Sequence, residues 1–289
     1  MKTPFFSVII PTYNRASFLT IAIRSVLEQS FTDFELLIVD DGSTDNTREI
    51  IDQFNKTLTT HRYTLTAINY IYQPHQGVSF ARNRGIQEAS AKYVCYLDSD
   101  DRFCQRKLEV THNYIQKYPT FKIFHTEEIW YRNGTLLPHK KHHQKPDGYV
   151  FPKALNLCCV SISTSCIAKE VFTNIGTFDE QLEVCEDYDF WLRATASYHI
   201  KLIPHFLTIK EGGHPDQQSK KYPCLDTYRI YALKKLLDSN TIDKTQVKLA
   251  SNELKKKCRI YIQGAEKRGK TAEVQYYSNL LKEYTAHVG

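Results

Sequence analysis

Apolar positions in the first hundred residues follow two alternating rhythms. Short unbroken runs at Phe5–Ile10, Phe34–Val39, Ile68–Tyr72 and Tyr93–Leu97 have the length and β-forming composition of buried strands. Pro11 should stop the first of these, because proline cannot donate to a ladder. Between the runs the spacing becomes helical. Apolar residues at 18, 19, 22, 23, 26 and 27 predict an amphipathic helix over Ser17–Glu28. Ser43 or Thr44 can cap a second helix that buries Ile50, Ile51 and Phe54, and Ser79 opens a third through Ala89. Strands that alternate with helices in this way predict an α/β fold, a parallel sheet with helices on both faces. Ligands then bind beyond the carboxyl ends of the strands.

The pattern loosens after Asp101. A helix over Arg106–Lys117 precedes apolar segments at Phe121–His125 and Ile129–Arg132, and Asn133-Gly134 is a strong hairpin signal. Pro138–Pro146 is basic and holds His139, His142 and His143 without the i, i+4 spacing that would aim two of them at one ion. It reads as a solvated loop, with acceptor contact as the functional alternative. Ser161–Ala168 is a β-branched run, and Phe190, Trp191 and Ala194 form the buried stripe of a helix that begins near Glu186. Short strands follow at Ile200–Ile203 and Phe206–Ile209, with a turn at 212–216. From Leu225 the pattern is helical over Leu225–Leu237, Lys244–Gly264 and Thr271–Tyr284. The expected organisation is a catalytic-type α/β domain over 1–215 and a helical C-terminal extension over 216–289.

Composition narrows the class. In 289 residues, 42% are hydrophobic and 24% charged, enough for a packed core and too apolar for global disorder. The formal net charge of +6 is mild, and basic and aromatic residues are not concentrated as in a nucleic-acid module, so no nucleic-acid partner is expected. None of the eight cysteines forms a C-x-x-C pair, and several sit in apolar runs, which predicts reduced thiols. Met1-Lys2-Thr3-Pro4 runs directly into the first strand, so no signal peptide is expected. No run approaches a membrane span, and a cytoplasmic location follows. The lysine-rich C-terminal part adds the expectation of a peripheral contact at the inner, anionic membrane face.

The candidate chemistry lies where the fourth strand ends. Tyr93–Leu97 runs straight into Asp98, Asp100 and Asp101. Carboxylates that crowd beside a buried strand repel one another, and a hard divalent cation relieves them: Mg²⁺ takes one or two carboxylates and fills its remaining positions with water and substrate phosphates. The plain alternative is a helix N-terminus, where acids are favoured by the dipole. Pro11-Thr12-Tyr13-Asn14 and Asp40-Asp41 also lie just past strand ends, so all three clusters should line one rim. No G-x-G-x-x-G and no G-x-x-x-x-G-K-[ST] occurs in these turns, which disfavours a dinucleotide dehydrogenase or a P-loop NTPase. A nucleotidyltransferase would want a glycine- and lysine-rich first loop, which Pro11–Arg15 lacks.

Together these segments resemble the family 2 glycosyltransferases of GT-A fold. The resemblance covers about residues 4–215 and is carried by S-V-I-I-P-T-Y-N-R at 7–15, L-I-V-D-D-G-S-T-D at 37–45, G-V-S-F-A-R-N-R-G-I at 77–86, Y-L-D-S-D-D at 96–101 and E-D-Y-D-F-W-L-R at 186–193. Each is weak alone, and their order and spacing make the match specific. It implies a nucleotide-diphosphate sugar donor, a D-x-D motif with Mn²⁺ or Mg²⁺, and usually inversion at the anomeric carbon. Carried over residue by residue, Pro11, Thr12, Tyr13 and Asn14 resemble the nucleotide-binding lip, with Tyr13 stacked on the base. Asp41 resembles the carboxylate that bonds the base imide, a contact that favours uridine and that thymidine also offers. Arg82 fits beside the nucleotide or diphosphate, Asp98 near the ribose, Asp100 on the metal, and Asp101 as a supporting partner. Asp187 resembles the base that deprotonates the acceptor hydroxyl, with Glu186 assisting or holding the helix start. His214 stands where some members place a further metal or diphosphate ligand, against the reading of a structural turn. The implied acceptor is a glycan or lipid-linked molecule in surface polysaccharide or glycoconjugate synthesis. A non-catalytic GT-A domain that binds nucleotide or glycan in a larger assembly is the alternative.

Overall fold

Strand β1 (Phe6–Thr12) is buried along its whole length, as a run containing Phe6, Val8, Ile9 and Ile10 requires. It pairs in parallel with β2 (Phe34–Asp40) on one side and β4 (Tyr93–Tyr96) on the other, and β3 (Asn69–Tyr72) adds in parallel beyond β2. These relations come from a computed structural model, which describes residues 3–60, 68–138, 144–213, 222 and 224–286. β1 runs past its expected stop, with Pro11 opposite Val39 and Thr12 opposite Asp40. Proline is accommodated because the ladder to β4 ends at Ile9 opposite Tyr96, so the missing N–H faces no partner strand.

Helix α1 (Ala16–Leu27) buries Leu19, Ala22, Ile23 and Val26, and α2 (Thr47–Thr60) buries Ile51. The start of α2 is held by Asp45 rather than by Ser43 or Thr44. The Asp45 carboxylate accepts from the Thr47 backbone N–H at 3.1 Å and from the Thr47 hydroxyl at 2.6 Å. It also accepts from the Ala16 N–H at 3.0 Å, so one side chain caps the starts of two helices. Helix α3 (Val78–Glu88) lies directly on β1. A Cβ at Gly85 would come within 2.5 Å of Ile9 Cγ2, so only glycine permits this approach, and it fixes the height at which Arg82, one turn earlier, leaves the helix.

The remaining elements are β5 (Arg102–Phe103), α4 (Lys107–Lys117), β6 (Ile123–Arg132), β7 (Thr135–Leu136), α5 (Phe151–Asn156), β8 (Ser165–Ala168), α6 (Lys169–Ile175), α7 (Glu186–Ser197) and β9 (Ile200–Gly212). The strand order is β3-β2-β1-β4-β8-β6-β9-β5, with β7 on β6. β8 runs antiparallel to both β4 and β6, so only the first half of the sheet is wholly parallel. Asn133 and Gly134 both take positive φ, 48° and 74°, and turn β6 into β7 as their sequence requires.

Three readings of the sequence change. The segments at 121–125 and 129–132 form one strand, as do those at 200–203 and 206–209. β6 and β9 pair from Ile123↔Ile200 to Arg132↔Gly212, with register shifts on either side of Glu127 that skip Pro204 and His205 at the first and Leu207 at the second. Pro204 mimicked a strand end without being one. The run Ser161–Ala168 is a strand only from Ser165, since Ile162–Thr164 form a 3₁₀ turn.

The C-terminal helices α8 (Asp226–Asp238), α9 (Lys244–Lys267) and α10 (Thr271–Ala286) share a second core with α5 and α7. Ile230, Leu233, Leu254, Cys258 and Leu280 pack there with Phe151, Leu155, Tyr188 and Leu192. Asp243 and Gln246 close a reciprocal capping box at the start of α9. All eight cysteines are free thiols. Among the described residues no helix is long and apolar enough to cross a membrane.

His125 on β6 is fully buried. Its Nε2–H donates to the Pro146 carbonyl at 2.7 Å, which leaves Nδ1 without a partner. Burial first, then the nearby Lys145 charge, pushes its pKa down to about 3 from 6.5. Between those two values the unfolded chain binds a proton that the folded chain does not. Stability therefore falls as pH drops through this window, by about 1.4 kcal/mol per unit. Gln at 125 cannot titrate. Unfolding free energies measured at pH 7 and pH 5 should fall by about 2 kcal/mol less in His125→Gln than in the wild type.

Candidate functional site at the carboxyl ends of the strands

The acids past β4 are held by cations from three directions. Asp98 accepts from Arg82 Nη2 at 3.0 Å, Asp100 from Arg15 Nη1 at 3.2 Å, and Asp101 from Lys210 Nζ at 2.6 Å. Lys210 also lies 3.6 Å from Asp98. Asp101 is the most enclosed of the three, at 2% exposure, and accepts a further bond from Ser163 Oγ at 2.7 Å. The Ser163 hydroxyl in turn receives the Asp98 backbone N–H at 3.0 Å, so the 3₁₀ turn before β8 fixes the acidic loop.

These neighbours split the three carboxyls. Burial works to raise Asp98, but Arg82 and Lys210 override it and leave it below the ordinary range. Burial and the adjacent Asp98 charge raise Asp100. Burial pushes Asp101 up to about 7, with Lys210 opposing and the other two acids reinforcing. Asp100, half-buried like Asp98, is therefore the carboxylate whose charge is less compensated of the two, the position where a divalent cation gains most. Among the described residues no group of three or more His, Cys, Asp and Glu side chains stands ready to hold a metal. One or two carboxylates suffice when a substrate diphosphate completes the shell, so Asp100 with Asp98 fits Mg²⁺ or Mn²⁺. His214, and Lys220 and Lys221 near it, lie outside the described residues.

Arg82 joins this cluster to the downstream pair. Its guanidinium is 5% exposed, and Nη1 donates to Glu186 while Nη2 holds Asp98. The Asp187 charge also bears on it. Glu186 and Asp187 open α7 directly after Cys185, which takes a left-handed φ of 62°, an unfavourable value for a side-chain-bearing residue. The N-cap residue Cys185 makes no side-chain cap to the helix end. Half-buried Asp187 instead accepts from the Tyr188 N–H at 2.7 Å and from the Cys158 thiol at 3.2 Å. Burial and the Asp187 charge hold that thiol protonated. Arg82→Met would strand Glu186 and Asp98 without their shared cation. Chemical denaturation should show a loss of about 3–5 kcal/mol, the usual consequence of removing one partner of a buried pair.

On the opposite lip, Tyr13 is 39% exposed and stacks on His75 with centroids 3.8 Å apart and planes 13° apart. Pro11 and Thr12 are buried at the end of β1. Asn14, at a positive φ of 51°, ties β1 to the next loop: its N–H donates to Ser43 Oγ at 2.9 Å and its Oδ1 accepts from the Thr44 N–H at 2.7 Å. Asp41 is buried. Its oxygens accept from the Gln76 and Gly77 N–H groups at 2.9 and 2.8 Å and from the Gln73 amide at 2.7 Å, with His75 Nδ1 at 2.8 Å. It thus organises the 73–77 loop on which Tyr13 rests. Asp40 accepts from the Tyr70 hydroxyl at 2.8 Å and from the Ser43 N–H at 2.9 Å.

A sequence profile for glycosyl transferase family 2 matches residues 7–161. The chain belongs to that family. An uncharacterized glycosyltransferase of Rickettsia conorii is 33% identical over 219 residues, 75% of this chain and 35% of the relative. The chain therefore spans about a third of that relative's length. The Bacillus subtilis protein TuaG, whose name ties it to teichuronic acid biosynthesis, is 32% identical over 168 residues, 58% of this chain and 63% of TuaG. S. aureus TarS 1-349 in complex with UDP-GlcNAc superposes with a TM-score of 0.72 at 17% identity, covering 98% of this chain and 92% of the TarS 1-349 chain. The mannosyltransferase PcManGT from Pyrobaculum calidifontis, in complex with GDP-Man and Mn²⁺, gives 0.62 at 15% identity and covers 100% of this chain and 84% of its own. At these identities the structural likeness speaks for the GT-A fold. The mixed sheet flanked by helices is a GT-A fold.

Several residues of the site were not singled out from the sequence. Arg15 lies within the first motif, yet nothing in its spacing announces an ion pair with Asp100. Lys145 sat in a stretch read as solvated loop, yet it is 7% exposed and pairs with Glu128 at 2.6 Å. Lys210 is, with Lys220 and Lys221, a basic residue that the sequence offers near the end of the family core, and nothing there ties it to Asp101.

Proposed function

We propose that this chain transfers a sugar from a nucleotide-diphosphate donor, UDP-linked by preference over TDP or GDP, to an acceptor hydroxyl, with inversion and with a divalent cation. The observation that carries this reading is the Asp98–Arg82–Glu186 bridge, which joins the acidic turn after β4 to the helix start that bears Asp187. A donor diphosphate at the first end and an acceptor hydroxyl at the second would share one cleft.

In this reading Asp100, with His214, would hold Mn²⁺ or Mg²⁺, which would supply positive charge to a leaving diphosphate. Tyr13 stacks on the base, Asp41 and the lip residues Pro11, Thr12 and Asn14 shape its seat, and Arg82 keeps Asp98 ionised beside the ribose. Asp187 takes the proton of the acceptor hydroxyl as it attacks the anomeric carbon. A single displacement with a base and no enzyme nucleophile inverts that carbon, the logic that governs paired carboxylates in glycosidases. The helical extension over 216–289 serves the catalytic domain over 1–215 by packing against α7, and so holds the helix that carries the base. The acceptor is a glycan or lipid-linked glycan of a surface polysaccharide, in keeping with the name of TuaG. A panel of UDP-, TDP- and GDP-sugars, assayed for nucleotide release with Mn²⁺, Mg²⁺ or EDTA, tests the reading. Release from at least one donor that depends on the metal is expected, and no release across the panel would sink it.

A further inference from the structure

Beyond the lip and the acids lies a wall that the proposed chemistry leaves unused. On β6, Glu128 and Trp130 are two positions apart and so share a face, and Lys210 of β9 is the register partner of Trp130. The Lys210 ammonium sits 5.5 Å from the Trp130 ring centroid while it bonds Asp101. Trp130 remains 37% exposed, whereas the chain's second tryptophan, Trp191, is 1% exposed. Beside it, Glu128 and Lys145 form an ion pair whose side chains are only 8% and 7% exposed, and both bond the Ser161 hydroxyl at 3.0 Å. The second oxygen of Glu128, Oε2, is buried with no partner at all. An unsatisfied carboxylate oxygen is costly, and a ligand hydroxyl would satisfy it.

The position of this wall says which ligand it serves. Ser161 belongs to the segment whose Cys158 thiol donates to Asp187, so the wall adjoins the proposed base. Tyr13, Asp41 and Arg82, the nucleotide side, lie around β1 and β2, whereas β6 is separated from β4 by β8. We infer that Trp130, with Glu128, Lys145 and Ser161, forms the subsite for the acceptor, and that the group it receives is a pyranose ring. The ring's C–H face would cover the indole, and its hydroxyls would meet the Glu128 Oε2 and the Lys145 ammonium. This rests on the transferase reading above and adds where the acceptor lies and what class it belongs to.

The two tryptophans make the test direct. Trp191 is sealed from acrylamide, so quenching of intrinsic fluorescence reports Trp130. The probes are the α- and β-methyl glycosides of glucose, galactose, mannose, rhamnose and N-acetylglucosamine, with their disaccharides, added to the full chain loaded with UDP and Mn²⁺. At least one should remove most of the acrylamide quenching in a saturable way, and Glu128→Gln should weaken that saturation several-fold. Quenching that no sugar changes, or that UDP and Mn²⁺ alone abolish, would overturn the assignment. Calorimetry on the same samples separates the two claims: UDP that binds while Trp130 stays quenched defeats the acceptor subsite alone. UDP that does not bind defeats the transferase reading, and the subsite with it.

Discussion

Asp187→Asn should lower the rate of sugar transfer by about 10²–10⁴-fold, the range lost when a positioned general base is removed. Asparagine matches aspartate in size: its one oxygen can keep the Tyr188 N–H that Oδ1 now receives, and its amide N–H, in the place of Oδ2, can donate to the Cys158 sulfur instead of accepting from the thiol. The substitution removes the proton acceptor and leaves the packing around it, so the unfolding midpoint should barely move. Steady-state kinetics with a saturating donor reads the effect in kcat. A single-displacement mechanism has no covalent sugar–enzyme stage to fall back on, so a weak acceptor should suffer more than an acidic one, whose proton leaves with less help. A transfer rate in Asp187→Asn within a few-fold of the wild type would remove Asp187 from the chemistry.

Asp100→Asn should act on the donor. Asp100 is 21% exposed at the side chain and is raised by burial and by the Asp98 charge, whereas Asp98 and Asp101 are each bonded closely by a basic side chain. A metal at Asp100 relieves that repulsion and must displace or share the Arg15 contact at 3.2 Å. Loss of even an outer partner of a bound metal typically costs about 10–100-fold in metal affinity or activity, and a direct ligand should cost at least that much. The Mn²⁺ concentration for half-maximal nucleotide release should therefore rise by more than about 10-fold. Arg15→Ala should move it the opposite way, because the competing cation is gone. Unchanged metal dependence in Asp100→Asn would place the ion elsewhere.

The parallel first half of the fold was legible because each strand there is a short apolar run ended by a polar cluster, and that alternation leaves few topologies. The antiparallel return of β8 was not, since neither Ser165–Ala168 nor its neighbours carries a direction in its residue types. Pro204 hid the continuity of β9 because a bulge and a strand end look alike in sequence. The acidic turn was readable from local crowding of carboxylates alone, and the helix start at Glu186-Asp187 from the apolar stripe that follows it. Glu128, Lys145 and Lys210 were not, because a charged residue on a strand looks solvent-facing until the partner that neutralises it is placed. That partner is Lys145 for Glu128, from the segment after β7, and it lies 109 residues away for Lys210, which meets Asp101. The second pairing is set by the register between β5 and β9, Arg102 opposite Ile209, which no single segment encodes.

Everything proposed for the site rests on a nucleoside diphosphate and a cation arriving together at Asp100. Titration calorimetry of the full chain with UDP, in Mn²⁺ and then in EDTA, measures that coupling without knowledge of the sugar or the acceptor. Binding in Mn²⁺ that EDTA abolishes and that Asp100→Asn loses is the expected result. Binding of equal strength in all three conditions, or none in any, would contradict it.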